Sequence, residues 1–510
     1  MPEPAPTEQR FSSRWGLVLS VLGIAVGTGN IWRFPRIAAQ NGGDAGAGAF
    51  LVAWAVFLVV WSLPLIIAEY ALGRSARKGV IGTFLHHGGS GRAWMGAFVG
   101  LTATAIMFYY SVVAGWCIHY LGITAFTAPP TTTAAAKGAW ESFQGSGLPV
   151  AFHGVAMLFG VLAVRRGVRS IERINRVLVP TLLVIVLLSM LRAITLEGSI
   201  GGITYLFTPQ WSQLAEPKVW LEALTQNAWD TGAGWGLILT YAAYMSQRDG
   251  VVKNALITGI ANNTVSMLAA ITVFGTVFAI LGVQMTQAEI LAVMKDSGPA
   301  STGLTFIWMP QLFAKMPLGR PLAVLFFLGL AFAALSSLIS MIELAARTLV
   351  DLGLPRGRAL GVVFGVGFAL GLPSALWLDV LSNQDFVWGV ALMISGLMVA
   401  LCTAAVGPQA LRERFAAADG DWDPGRAWVI AIRWVVPALA VVLLGWWLYL
   451  SATAYAPDTW WNPADPFSVM TCVVQWGTAL AVLMLANRWL VARLKDSSPP
   501  SAGMAGQHPE

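Results

Sequence analysis

The chain has 510 residues, 56% of them hydrophobic and 11% charged, and its mean hydropathy is +0.67. A soluble enzyme of this length carries about a quarter charged residues, so the composition excludes an ordinary water-soluble protein and points to an all-α integral membrane protein. The formal charge of +6 raises nucleic acid as a partner, but the placement of the basic residues explains it by topology.

The first stretch, 1–13, is polar and lacks a short apolar region with a small-residue cleavage site, so no removable signal peptide is expected. About twelve segments of roughly 20 mostly apolar residues follow. They start near Trp15, Phe50, Trp94, Leu148, Leu178, Val219, Ala255, Leu322, Leu360, Val380, Trp428 and Val469. Basic residues gather in alternate connections: Arg74, Arg77 and Lys78 after the second segment, Arg165 to Arg176 after the fourth, Arg412 and Arg414 before the eleventh. The opposite connection 128–147 holds only Lys137. That asymmetry predicts a multi-pass protein of the plasma (inner) membrane with both termini cytoplasmic. The expected organisation is a cytoplasmic segment 1–13, five helices over 14–194 and an extracellular loop at 195–217. Five more helices over 218–407, two over 408–495 and a disordered cytoplasmic tail 496–510 complete it. The loop 282–321 is expected to hold short helices.

Catalytic chemistry finds no support. Cys117, Cys402 and Cys472 lie in apolar runs, and His86, His87, His119, His153 and His508 lack ligand spacing. No HExxH, GxSxG or paired-aspartate arrangement is present, so neither an enzyme nor an organic cofactor is expected.

Two segments break the helical pattern. The first span carries GIAVGTGNIWRFP (23–35), and the sixth carries NAWDTGAGWG (227–236) around Asp230. In lipid an unpaired backbone group costs several kcal/mol, so a break persists only where it is buried in protein or lines a polar cavity. Small residues that let helices pack closely are the plain alternative for either segment alone. The pairing of two breaks, each opening a group of five spans, favours a transporter with its site at the interface of two inverted repeats. Neither glycine cluster has the Lys-Ser/Thr or βαβ setting of a phosphate loop.

At AVGTGNIWRFP (25–35), NGGDAGAGAF (41–50), AEYALGR (68–74), MFYYSVVAGW (107–116), LTQNAW (224–229), GWGLILTYAAY (234–244) and FAALSSLISMIE (332–343) the chain resembles the neurotransmitter:sodium symporters. The resemblance covers nearly the whole chain and implies a leucine-transporter-type fold: a 5+5 inverted repeat with helices 1 and 6 broken, plus two C-terminal helices. It implies a sodium-coupled symporter that imports a small amino acid or related zwitterionic solute by alternating access. A sodium-coupled transporter of a cationic or non-amino-acid solute, or an ion-conducting member of the fold, stands as the alternative. The partners implied are a small solute and the lipid bilayer, without nucleic acid; nothing is implied about oligomeric state.

By the same resemblance, the amides of Thr28 and Gly29 and the hydroxyl of Tyr110 would hold a substrate carboxylate, and the Ala25 carbonyl would take the amine. Trp229, Gly232, Trp235, Ile106 and Met341 would wall the pocket. Two sodium ions are expected. The first would use Ala25, Asn30, Asp230 and Asn262, and the second the carbonyls of Gly23, Val26 and Ala333 with the hydroxyls of Ser336 and Ser337. Paired serines in a membrane helix often only bond back to the preceding turn, which is the structural alternative for the last two. Arg33 and Asp385 would close an outer gate over Trp229. Asp351 and Tyr244 would form a cytoplasmic latch, with Arg10 displaced from the family's arginine position. Glu69 is expected to hold unwound backbone.

The chain departs from the family at Asp230, where Thr or Ser is usual, at Trp54, which replaces a tyrosine, and at Gly232, which replaces a hydroxyl. Gln226 and Ser266 match chloride-site positions. A fixed carboxylate at Asp230 would supply the negative charge that chloride otherwise brings, so chloride-independent transport is expected. Asp230 could instead contact a cationic group of the substrate or carry a counter-transported proton.

Overall fold

The computed structural model describes residues 10–295, 303–416 and 420–496. Among these, every regular element is helical. The expected tail lies outside the described residues except for Asp496, as do residues 1–9 of the N-terminal segment. The spans are α1 (Arg14–Ala25 and Gly29–Gln40), α2 (Gly48–Ala76), α3 (Ala93–Phe126), α4 (Leu148–Val164), α5 (Val168–Ile194) and α6 (Pro217–Thr231 and Leu237–Ala242). They continue with α7 (Val251–Leu281), α8 (Gly319–Asp351), α9 (Arg356–Leu376), α10 (Leu378–Val406), α11 (Gly425–Tyr455) and α12 (Val469–Leu485). Several helices start before their apolar stretch does. The fifth, expected near Leu178, begins at Val168, so Arg169, Arg173 and Arg176 ride on its first turns. Hydropathy marks the part that meets lipid, whereas backbone hydrogen bonding carries the helix on into water. Short helices do occupy the loops, Ser199–Phe207 after α5 and Gln287–Lys295 and Met309–Ala314 after α7.

In α1 the helix stops at Ala25, where the Val26 amide makes the last ordinary bond, to Leu22 O at 2.7 Å. The Gly27 amide has no carbonyl one turn back, and it donates instead to Asn30 Oδ1 at 2.8 Å and Ala25 O at 3.0 Å. The chain resumes in a wide π turn at Gly29–Arg33, and the two halves meet at 49°. Pro35 falls in the first turn of the renewed α-helix, where its missing N–H costs nothing. The sequence oddity thus divides in two, a polar turn that breaks the helix and a proline that follows the π turn in which it resumes.

In α6 the break spans 232–236 and is held open by left-handed glycines, with φ +69° at Gly232, +86° at Gly234 and +74° at Gly236. Its freed amides find Glu69, wholly buried on α2: Oε1 accepts from Gly234 N at 2.6 Å and Oε2 from Leu239 N at 3.0 Å. The Gly234 carbonyl accepts from Ser395 Oγ on α10. A β-carbon on Gly234 would sit 2.7 Å from Gly396 Cα, backbone against backbone, on top of the unfavourable φ. Gly234→Ala is therefore expected to lose nearly all folded, transport-competent protein, measured as the monodisperse fraction after detergent extraction; a normal yield with full uptake would contradict this.

Around the breaks, α3 packs along α8, α5 against α1, α7 and α8, and α2 against the second half of α6. The breaks of the two helices are thereby buried inside the bundle. The faces of α4, α5, α9, α11 and α12 that expose Leu158, Val184, Val366, Val441 and Val473 look outward, where lipid would cover them.

Candidate functional site

The two breaks meet around a small cavity lined by Ala25, Gly29, Asn30, Tyr110, Trp229, Asp230, Gly232, Trp235 and Met341 among the expected residues. Ile24, Gly27, Leu237 and Ser337 line it too, which the sequence reading of the pocket did not include. Ile106 is fully buried but is not among the lining residues, so it packs behind the wall rather than forming it. Tyr110 Oη accepts from Thr28 N at 3.4 Å and from Thr28 Oγ1 at 3.2 Å. Ser337 on α8 is a further hydrogen-bonding neighbour of the same hydroxyl, so Tyr110 faces the cavity from within a cluster of hydroxyls. Gly29 is needed for its size: a β-carbon there would come 2.9 Å from Trp229 Cδ1 and 3.2 Å from Asp230 Oδ1.

Beside the cavity, the carbonyl oxygens of Ala25 and Asp230 cluster around the Asn262 carboxamide on α7, 3.0 Å and 3.1 Å away. With its nitrogen on that side the amide donates to both carbonyls. Two backbone carbonyls and a carboxamide are oxygen ligands of the kind a hard cation such as sodium takes, so the donor set fits that ion.

Two expected ligands are arranged differently. Asn30 spends its oxygen on the orphan Gly27 amide and points its nitrogen at Asn262 Oδ1 (2.7 Å) and Ser266 Oγ (2.8 Å). The Asp230 carboxylate, 2% exposed, turns from that cluster to accept from Gln226 Nε2 at 2.7 Å and Ser266 Oγ at 3.2 Å. Asp230 thus offers its backbone carbonyl, not its side chain, to the oxygen cluster. Nearby, Trp54 leaves its indole nitrogen unbonded and packs at a tilt against Phe34, ring centroids 4.4 Å apart.

On the other side of the α1 break, Ser337 Oγ on α8 reaches the carbonyls of Gly23 (3.3 Å) and Ile24 (3.2 Å). Ser336 Oγ bonds back to the Ala333 carbonyl at 3.0 Å, the local pattern set out as the structural alternative. Gly23, Ser336 and Ser337 are thus brought together; for Val26 the structure gives burial and its bond to Leu22.

A description of the sodium:neurotransmitter symporter family matches residues 8–142 and 149–496. The chain belongs to that family. A sodium-dependent transporter of Methanocaldococcus jannaschii is 31% identical over 373 residues, 70% of this chain and 73% of its own. One of Bacillus subtilis is 28% identical over 465 residues, 87% and 98% of the two chains. The crystal structure of MhsT in complex with L-phenylalanine superposes with a TM-score of 0.73 at 27% identity, covering 86% of this chain and 99% of that one. The all-helical architecture with broken helices is therefore the leucine-transporter-type fold, and the chain is a sodium-dependent transporter rather than an enzyme.

In this symporter the expected outer pair is not joined. Arg33 and Asp385 both line a wide vestibule above the cavity, with Arg36, Lys218, Glu222 and Lys295. Among the described residues they make no ion pair with each other: Asp385 Oδ1 accepts from Tyr109 Oη at 3.2 Å, and the Arg33 guanidinium lies 5.1 Å above the Trp229 ring. That cation–π contact and the edge-to-face packing of Trp229 on Trp235 (5.2 Å) cover the cavity while the charges above stay apart.

The opposite mouth is sealed. Phe11 donates its amide to the Tyr244 carbonyl at 3.2 Å and packs edge-on against Tyr241 and Tyr244. Asp351 and Tyr244 are linked through a residue that sequence reasoning missed. Arg347 pairs with Asp351 at 2.9 Å and lies 5.3 Å over the Tyr244 ring. Tyr244 Oη donates to Glu343 at 2.7 Å, and Arg356 closes the network on Glu343 at 2.6 Å. A signal was present, since Glu343 is a charge inside an apolar span and Arg356 is the next helix's first residue.

Proposed function

We propose that the protein imports a small zwitterionic, amino-acid-like solute with sodium, without chloride, across the plasma membrane, with both termini cytoplasmic. The observation that carries the chloride part is the position of the Asp230 carboxylate. It accepts from Gln226 and Ser266, the two groups matched to chloride-site positions, so a fixed anion already fills the place of a mobile one. The first sodium ion is read as bound by Ala25, Asp230 and Asn262 with Asn30 at its edge. The second is read as bound by Gly23, Val26, Ala333, Ser336 and Ser337.

The solute reading rests on two unlike walls. The Gly29 amide and the Tyr110 hydroxyl, backed by Thr28, would take a carboxylate, while Trp229, Trp235, Leu237 and Met341 would take an apolar side chain. The L-phenylalanine bound by MhsT supports a carboxylate paired with an apolar group as the solute's shape. Arg33 and Asp385 would meet once the vestibule narrows; Arg347, Asp351, Glu343 and Arg356 would part when the cytoplasmic side opens.

The test is uptake of labelled amino acids into proteoliposomes under an inward sodium gradient. Saturable uptake that collapses without the gradient and is unchanged when gluconate replaces chloride is expected. Complete loss of uptake in gluconate would refute chloride independence. A non-saturating conductance would favour the ion-conducting alternative.

A further inference from the structure

The helix that carries Asn262 and Ser266 is fastened at its first turn by a loop from far along the chain. α7 begins at Val251, where the first amides have no carbonyl one turn back. The Asp421 carboxylate, between α10 and α11, takes three of them. Its Oδ2 accepts from Val251 N at 2.6 Å and Val252 N at 3.1 Å, and its Oδ1 from Lys253 N at 3.1 Å. Lys253 Nζ donates to the Gly420 carbonyl and lies 5.7 Å over the Trp422 ring. Gly250, just before the helix, has an ordinary φ of −67°, yet a β-carbon there would come 2.7 Å from Asp421 Oδ1. Glycine at this position makes room for the carboxylate rather than for a turn.

A helix start is ordinarily capped by Ser, Thr, Asp or Asn in the position that Gly250 holds. Here the acceptor arrives from 170 residues away, on a loop that is itself pinned. Arg412 pairs with Asp423 at 2.5 Å, and Asp423 Oδ1 accepts from Gly425 N at 2.9 Å where α11 begins. The loop leaves α10, which packs along α3. α7 instead packs on α1 and brings Asn262 and Ser266 to the breaks. The junction therefore ties the helix that serves the site to the α3 and α10 side of the bundle. It lies at the Phe11 end, since Arg14 Nε, at the start of α1, donates to Asn254 Oδ1 at 3.3 Å in the first turn of α7. Opening that mouth moves α1 and α7 against α3, and hydrogen bonds of this length do not survive a displacement of even 1 Å.

We propose that Asp421 is a releasable strap, which holds α7 in place for solute and sodium while the Phe11 mouth is sealed and lets go of the helix when that mouth opens. The inference rests on the sodium-coupled reading given under the proposed function, in which ion binding favours the sealed state. Asp421 touches neither solute nor ion. It is a positioning residue, acting through Asn262 and Ser266 on the helix it holds. A cap that served stability alone would stay bonded in both states.

The test is amide hydrogen exchange of the full-length chain in detergent, with sodium or with choline, joined to sodium titrations of uptake in proteoliposomes. In the unaltered protein, peptides covering Val251 to Lys253 are expected to exchange at least tenfold faster in choline than in sodium. Equal exchange of this turn in both cations, while the α1 break around Gly27 responds to sodium, would overturn the strap and leave the sodium reading standing. Indifference of both segments would overturn the sodium reading, and the strap with it. Asp421→Ala is expected to raise half-saturating sodium at least threefold and to abolish the cation dependence at α7, with Asp421→Asn in between. Gly250→Ala keeps the carboxylate but crowds it off the helix. It is expected to reproduce the rise in half-saturating sodium, which keeps the proposal testable if Asp421→Ala fails to fold. A lower melting temperature with unaltered half-saturating sodium, in either variant, would show a plain cap and overturn the inference.

Discussion

Asp230→Asn is expected to weaken apparent sodium affinity for uptake tenfold or more, and Asp230→Ser to recover part of it only when chloride is present. The carboxylate is 2% exposed and, among the described residues, has no Lys or Arg within ion-pair distance. Its hydrogen bonds come from Gln226 and Ser266, which are neutral. A buried charge so placed needs a cation nearby to be tolerated, and the oxygen cluster of Ala25, Asp230 and Asn262 lies next to it. Two unit charges about 6 Å apart interact by about 3 kcal/mol at an effective dielectric of 20, and about 1.4 kcal/mol is a tenfold change. Serine would leave Gln226 and Ser266 free to donate to a chloride ion instead. Sodium titrations of uptake in chloride and in gluconate decide the matter. An Asp230→Asn protein with full sodium affinity in gluconate would show that the carboxylate serves another purpose, a proton or a cationic solute among them.

The second large effect is expected at Glu69. Glu69→Ala strips acceptors from the amides of Gly234 and Leu239 inside the unwound part of α6, where no water is at hand to replace them. Each buried amide so orphaned costs about 1–3 kcal/mol, with more for bonds to a charge, so a loss of about 3–5 kcal/mol is expected together with loss of uptake. Glu69→Gln keeps one acceptor oxygen but turns an N–H toward the other amide, and it should fall in between. Thermal unfolding of the purified variants measures the order. A Glu69→Ala protein as stable as the unaltered one would mean that the glycine turn holds itself open.

Much of the site was legible because lipid is an unforgiving solvent. Gly27, Thr28, Gly29 and Asn30 inside one apolar span, and Gly232, Gly234 and Gly236 inside another, are hard to explain except as breaks that line a cavity. Asp230, Glu69, Arg33 and Asp385 stood out for the same reason, as charges in apolar surroundings. Ile106 stands outside the cavity lining because a motif gives the helix a residue sits on but not the rotation that turns it inward or behind a neighbour. Arg347 was missed as the link between Asp351 and Tyr244 because its role depends on a ring and a carboxylate brought together from separate helices.

The sequence by itself determined the membrane class, the number and approximate place of the spans, and the two breaks, since each follows from the local cost of leaving a backbone or a charge in hydrocarbon. Tertiary structure alone decided how the polar groups pair. The Asn30 oxygen goes to Gly27 rather than outward, the Asp230 carboxylate to Gln226 and Ser266 rather than to the oxygen cluster, and Asn175 is left without a partner beside Gly23. The physical reason is that a side-chain amide or carboxylate has several possible bonds within reach. Which one it makes is settled by the distance and angle at which another helix arrives, and no local pattern encodes that.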